Sequence, residues 1–241
     1  MPQAFAERTQ KLKGDLIDQG RRVQQLIELA FEAAFERSPE KAAQASKLDD
    51  AVDTADVAIE QASVVLLTDA TRSGAQLEPQ HLRILLTIVK VNNELERIAD
   101  VGVDVAELVM PPKPGHAYAA AGVPSFPDTF RVMANSVIGI LRDAVGALMT
   151  NDPQLAKVVL QSQHTVTAFK AAIVRDAEEK IAKGKMQVDA AFVLHEIANL
   201  CELLADHCTN IAEQVIYLTT GSIVRHTTTI WVEVGNKPAV G

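Results

Sequence analysis

Aromatic side chains are scarce: one Trp, two Tyr and seven Phe make up 4% of the 241 residues, so a sheet core rich in rings and β-branched residues is not expected. Cysteine is nearly absent. Cys201 and Cys208 stand seven residues apart, which on one helix separates their Cα atoms by about 10 Å. That distance excludes a disulfide, and both read as small apolar helix residues. No basic run is present to neutralise a string of phosphates. Lys plus Arg number 23 against 31 Asp plus Glu, a net charge of -8, which disfavours direct nucleic-acid binding. The first turns carry Glu7, Arg8, Lys11, Lys13 and Asp15, so neither a signal peptide nor a membrane span is expected there, and a cytoplasmic protein is. Also missing are the Gly-x4-Gly-Lys, Gly-x-Gly-x2-Gly, His-Glu-x2-His and Gly-x-Ser-x-Gly patterns of nucleotide, zinc-protease and serine-hydrolase sites. No enzyme is expected.

What the chain does have is 48% hydrophobic residues, enough to bury a substantial core, at helical periodicity. Leu12, Leu16, Val23, Leu26, Ile27, Ala30 and Ala34 mark a helix over 5–35. Ser38-Pro39 then supplies an N-cap with proline at the first helical position, opening a second helix to about 69. Gly74 and Pro79 punctuate a turn before a third helix over 81–110. Residues 111–127 hold five prolines and two glycines and read as a linker. The pattern then repeats, with helices over 130–149, 155–181 and 188–218, a second cap at Asp152-Pro153 and a break at Gly184.

The caps differ by 153 − 39 = 114 residues and the third helices by 202 − 96 = 106, which argues for a duplicated unit. The expected fold is all-α: two tandem three-helix bundles with an internal repeat, over 1–110 and 128–226, joined by the linker and followed by a tail at 227–241. In that tail Thr228, Thr229, Ile230, Trp231, Val232 and Val234 favour an extended strand.

The row Asn93, Glu96, Asp100, Asp104 and Glu107 steps by three or four residues and so falls near one helix face. It recurs, shifted by 106, as Asn199, Glu202, Asp206, Asn210 and Glu213. On the second helix Asp49 and Asp53 form another pair, with Asp56 and Glu60 following. Like charges four residues apart cost roughly 0.2 to 0.5 kcal/mol per exposed pair, so something must offset them. Two antiparallel helices facing carboxylates together make a metal cage, and oxygen ligation suits Mg, Mn, Fe or Ca, with Zn remaining open.

At these residues the sequence resembles the PhoU family. Leu95-Glu96-Arg97-Ile98-Ala99-Asp100 is similar to the family's Leu-Glu-Arg-Ile-Gly-Asp signature, the stretch from Ala205 to Glu213 to its second-repeat counterpart, and Leu218 to His226 to its closing segment. The resemblance implies multinuclear metal clusters of Fe, Zn, Mn or Mg. Asp49, Asp53, Glu96, Asp100 and Asp104 would line the first, and Glu202, Asp206 and Asn210 the second. The second is expected to be weaker, because Gln163 and Thr167 stand at the positions matching Asp49 and Asp53, unless Glu178 and Glu179 compensate. The resemblance further implies a homodimeric negative regulator of phosphate uptake and phosphate-starvation signalling. Its partners would be a phosphate ABC transporter ATPase and a sensor histidine kinase, and it would reach the membrane only through them.

Two alternatives compete. A ferritin-like metal oxidase wants two Glu-x2-His pairs at mid-helix, and only Glu78-Pro79-Gln80-His81 fits, beside a proline that marks a helix entrance. His195, His207 and His226 read as ordinary helix or cap residues. A metal-free helical scaffold would use the acidic rows to bind a basic partner.

Overall fold

A computed structural model describes residues 3–108, 126–226 and 231–234. Six helices dominate: α1 (Gln3–Glu36), α2 (Pro39–Arg72), α3 (Pro79–Glu107), α4 (Asp128–Thr150), α5 (Pro153–Ala182) and α6 (Val188–Thr220). The ends fall where the local chemistry puts them. Ser38 Oγ accepts from Lys41 N at 3.3 Å and Asp152 Oδ1 from Gln154 N and Leu155 N at 2.8 and 3.1 Å, caps worth about 1 kcal/mol each. At Glu78-Pro79-Gln80-His81 the His81 Nδ1 accepts from Glu78 N at 3.2 Å. That Glu-x2-His pair is therefore a helix entrance. Gly221 closes α6 in the left-handed region at φ 79, where glycine carries no Cβ penalty.

Each triplet packs on itself, α1 against α2 and α3, and α4 against α5 and α6. The two triplets meet along α1 with α4 and α3 with α6, and one continuous core runs through both. Leu16, Leu26, Ile27 and Leu95 from the first are buried with Met133, Leu141 and Leu148 from the second, each such side chain contributing about 1.5–3 kcal/mol. Phe126 and Phe130 stack at 4.8 Å between ring centroids and reach Phe35 at 5.8 and 5.6 Å, which pins the start of α4 to the end of α1. Among the described residues α4 alone is long and apolar enough to cross a membrane, but half of its most apolar stretch is buried.

Residues 223–226 were expected to close the second bundle, but they leave it as a strand, β1 (Ile223–His226), which pairs antiparallel with β2 (Trp231–Val234). The hairpin thus crosses the boundary expected at 226. Arg225 forms a salt bridge with Glu213, a carboxylate only 9% exposed, and so ties β1 to α6. Most of the expected linker, 111–125, and the remaining tail at 227–230 and 235–241 lie outside the described residues.

Candidate metal centre and its altered counterpart

The acidic face of α3 meets that of α2, as the spacing predicts. The helices run antiparallel, and Asn92 on α3 donates to Asp56 on α2, at 2.6 Å to Oδ1 and 3.0 Å to the carbonyl oxygen. Just beyond this contact Asp49, Asp53, Glu96 and Asp100 feel one another. Burial, followed by the charges of Asp53, Asp100, Asp50 and Glu96, pushes the Asp49 carboxyl up to about 6. Burial also raises Asp56, with Glu60 and Asp53 adding to it, and Glu96, with Asp100, Asp56 and Asp53 adding and Arg97 opposing. Asp100 rises through burial and Asp53, with His207 opposing. Farther along α3, Asp104 rises through burial and then Glu107, Asp100 and Glu196.

Asp49 Oδ1 and Asn92 Oδ1 are buried without a hydrogen-bond partner, a costly condition for oxygen acceptors. Among the described residues no Lys or Arg forms a salt bridge with Asp49, Asp53, Asp56, Glu96 or Asp100. Nor, among those residues, do three or more His, Cys, Asp or Glu side chains stand in an arrangement that would ligate one ion.

The second repeat keeps the row on α6 but changes the helix opposite. Lys170 Nζ lies 2.5 Å from Glu202 Oε2, Thr167 Oγ1 donates to Glu202 Oε1 at 2.8 Å, and Gln163 Nε2 donates to Asp206 Oδ1 at 2.8 Å. Burial pushes Glu202 up, yet the Lys170 and Thr167 hydrogen bonds and the Lys170 charge outweigh it and hold the carboxyl below its usual range. Lys170 sits at 170 − 56 = 114, opposite Asp56 in the repeat. Asp49, Asp53 and Asp56 of α2 are thus each replaced on α5 by a donor. Glu179 pairs with Lys183, and Glu178 lines a separate cavity with Phe192 and His195, so neither stands in for the lost acids.

Asn210 turns to the other repeat. Its Nδ2 donates to Glu94 Oε2 at 3.0 Å, and His207 Nδ1 lies 2.7 Å from the same oxygen. Burial raises Glu94, but these two hydrogen bonds and the nearby positive charge hold it low overall. Glu94 and His207 carry no signal in the row itself. They appear only when α3 is laid antiparallel on α6. Burial pushes both thiols, Cys201 and Cys208, far up, so they are inert, as expected of small core residues.

The PhoU domain model matches twice, over residues 16–109 and 130–215, the two triplets just described. The chain belongs to the PhoU family. Curated relatives named phosphate-specific transport system accessory protein PhoU homologs include one from Aquifex aeolicus, 28% identical over 90% of this chain and 93% of its own. One from Synechocystis is 26% identical over 90% and 92%. A PhoU homolog 1 from Thermotoga maritima is 28% identical, over 59% of each chain. The crystal structure of PhoU from Pseudomonas aeruginosa superposes with a TM-score of 0.80 at 23% identity, covering 90% of this chain and 99% of that one. That of the regulatory protein PhoU from Streptococcus pneumoniae gives 0.78 at 20%, covering 92% and 100%. The PhoU fold, with both of its repeats, is therefore the fold of this chain.

Proposed function

We propose that this PhoU-family chain is an accessory regulator of phosphate transport whose first repeat is a cation site. It would act from the cytoplasm as an adaptor between the ATPase of a phosphate ABC transporter and a sensor histidine kinase. The family and the names of its relatives support the transport role. The observation that carries the cation site is the contrast between repeats. Among the described residues Asp49, Asp53, Glu96 and Asp100 face one another without a salt bridge, and one buried oxygen of Asp49 has no donor. At the matching place Lys170 and Thr167 satisfy Glu202.

An all-oxygen donor set of this charge fits a hard or borderline cation. Asp49, Asp53, Glu96 and Asp100, which do not form a ligand set as they stand, would draw together around it, with Asp104 at the edge. When bound, the ion would supply the positive charge that no salt bridge brings to these carboxylates among the described residues. Asn92, which donates to Asp56, would hold that carboxylate at the margin of the site. Glu202 and Asp206 contribute less, because their oxygens already accept from Lys170, Thr167 and Gln163.

Metal analysis of the purified full chain tests the site. Bound Mn, Fe, Zn or Mg should fall by most of its amount in Glu96→Gln/Asp100→Asn and stay unchanged in Glu202→Gln. Equal metal content in all three proteins would overturn the assignment. Affinity capture from native membranes tests the adaptor role: recovery of neither a transporter ATPase nor a histidine kinase argues against it.

A further inference from the structure

At the opposite end of the inter-repeat seam a cavity of about 560 Å³ opens between the first turns of α1, the entrance of α3, the end of α4 and the last turn of α6. Among the described residues its ionisable lining is Lys13 and His81, with no acid, although the chain has more acidic than basic residues. The floor is apolar: Phe5, Ile84 and Leu218.

Lys13 is half-buried and burial lowers its pKa. Among the described residues no carboxylate pairs with it, and its ammonium donates only to Asn151 Oδ1, at 2.7 Å. An ammonium carries three donors, so others remain for a ligand. His81 Nδ1 already accepts from Glu78 N, so the imidazole hydrogen sits on Nε2 and is free to donate. An edge-on contact with Phe5, 5.9 Å between centroids, holds the ring in place. Glu78, three residues before His81, accepts from Gln80 Nε2 at 3.0 Å. The positive end of the α3 dipole adds to the same field.

We propose that this cavity binds a small organic anion, its charged head on Lys13 and His81 and its apolar body against Phe5, Ile84 and Leu218. The volume suits such a ligand, and a few convergent donors over an apolar floor are the usual composition of small-molecule sites. Because α1 and α3 come from one repeat and α4 and α6 from the other, the ligand would clamp the repeats together near the turn into β1. The site is independent of the cation site, and none of its residues belongs to the acidic rows.

Calorimetry and amide chemical-shift mapping on the full chain, with phenyl phosphate, benzoate, inorganic phosphate and benzyl alcohol, test this. Phenyl phosphate or benzoate should bind and shift the amides around Lys13, His81 and Leu218, the stronger of the two identifying the head group. Benzyl alcohol, without the charge, and inorganic phosphate, without the body, should each bind about tenfold more weakly or worse. Lys13→Met keeps the aliphatic stem and should lose about tenfold. His81→Phe keeps the ring contact, removes the donor and serves as the second test if Lys13→Met does not fold. No binding of either organic anion below about 10 mM overturns the proposal. So does equal binding of benzyl alcohol or inorganic phosphate, or a folded variant that binds as the native chain does.

Discussion

Replacing Asp49 by asparagine removes one charge from the α2–α3 cluster at almost constant shape, and the structure says which way stability moves. The carboxyl sits at about 6 instead of its ordinary 3.8, so the folded chain holds this proton more tightly than the unfolded chain does, and ionising it costs stability. At 1.36 kcal/mol per pH decade the gap is about 3 kcal/mol. Solvent reaches much of the side chain, and screening brings the figure to about 1 kcal/mol. The penalty is complete above the folded pKa, shrinks as pH falls through about 6 and is gone below the unfolded value. Metal-free Asp49→Asn should therefore melt about 2–4 °C above the native chain near pH 7 and level with it near pH 4. With saturating Mn the order should reverse, because only the native chain gains the binding energy. Calorimetric melting in chelator and in metal, at both pH values, checks this. A variant no more stable than the native chain in chelator near pH 7, or one whose gain persists near pH 4, refutes the reasoning.

Lys170→Asp puts an acid opposite Glu202, where the present pair is 26% and 23% exposed. It should cost about 1–3 kcal/mol in chelator, with part of the loss restored by Mg or Mn, and an unchanged melting temperature would count against the pairing. Gly102→Ala should destabilise by about 1–3 kcal/mol despite the better helix propensity of alanine. The new Cβ would stand 2.7 Å from Ile27 Cδ1 and collide with Leu26 Cδ2, and chemical denaturation measures the loss. Arg225→Met removes the side chain that ties β1 to Glu213. Amide exchange over 223–226 should accelerate while α1 to α5 stay protected, and uniform protection would show that the salt bridge does not hold the hairpin.

The helices were legible because their punctuation is local. Ser38-Pro39, Asp152-Pro153 and Gly184 act within one turn of chain, and each ends or starts a helix where it should. The acidic rows were legible for the same reason, since spacing along one helix fixes a face. What a row cannot carry is the identity of the helix opposite. Lys170 could have been found, because the repeat offset of 114 lays it on Asp56 as surely as it lays Gln163 on Asp49. Glu94 with His207 and Asn210 could not, because that contact depends on how α3 crosses α6, and neither triplet alone implies a crossing. Strand β1 was missed for a related reason: Ile223, Val224, Arg225 and His226 follow a long helix without a proline, and only the partner strand 231–234 gives their conformation a purpose.

The two repeats diverge by a rule that a count of acids conceals. α6 keeps the oxygens of its counterpart at Glu202 and Asp206, so a reading of that helix alone finds a second metal row. On α5, Gln163, Thr167 and Lys170 replace Asp49, Asp53 and Asp56, and each now donates to an α6 oxygen. The requirement for positive charge is thereby met within the chain, by an ammonium that cannot dissociate away, while on α2 and α3 the proposed cation would meet it. A duplication that began with equivalent faces would in this way become a protein with one half fixed and one half responsive. The half proposed to hold a cation is joined to the other through Glu94, a carboxylate of the same helix as Glu96 and Asp100, held by His207 and Asn210 of α6. A change in how α3 sits on α2 would therefore displace the partly buried polar contact that Glu94 makes with His207 between the repeats.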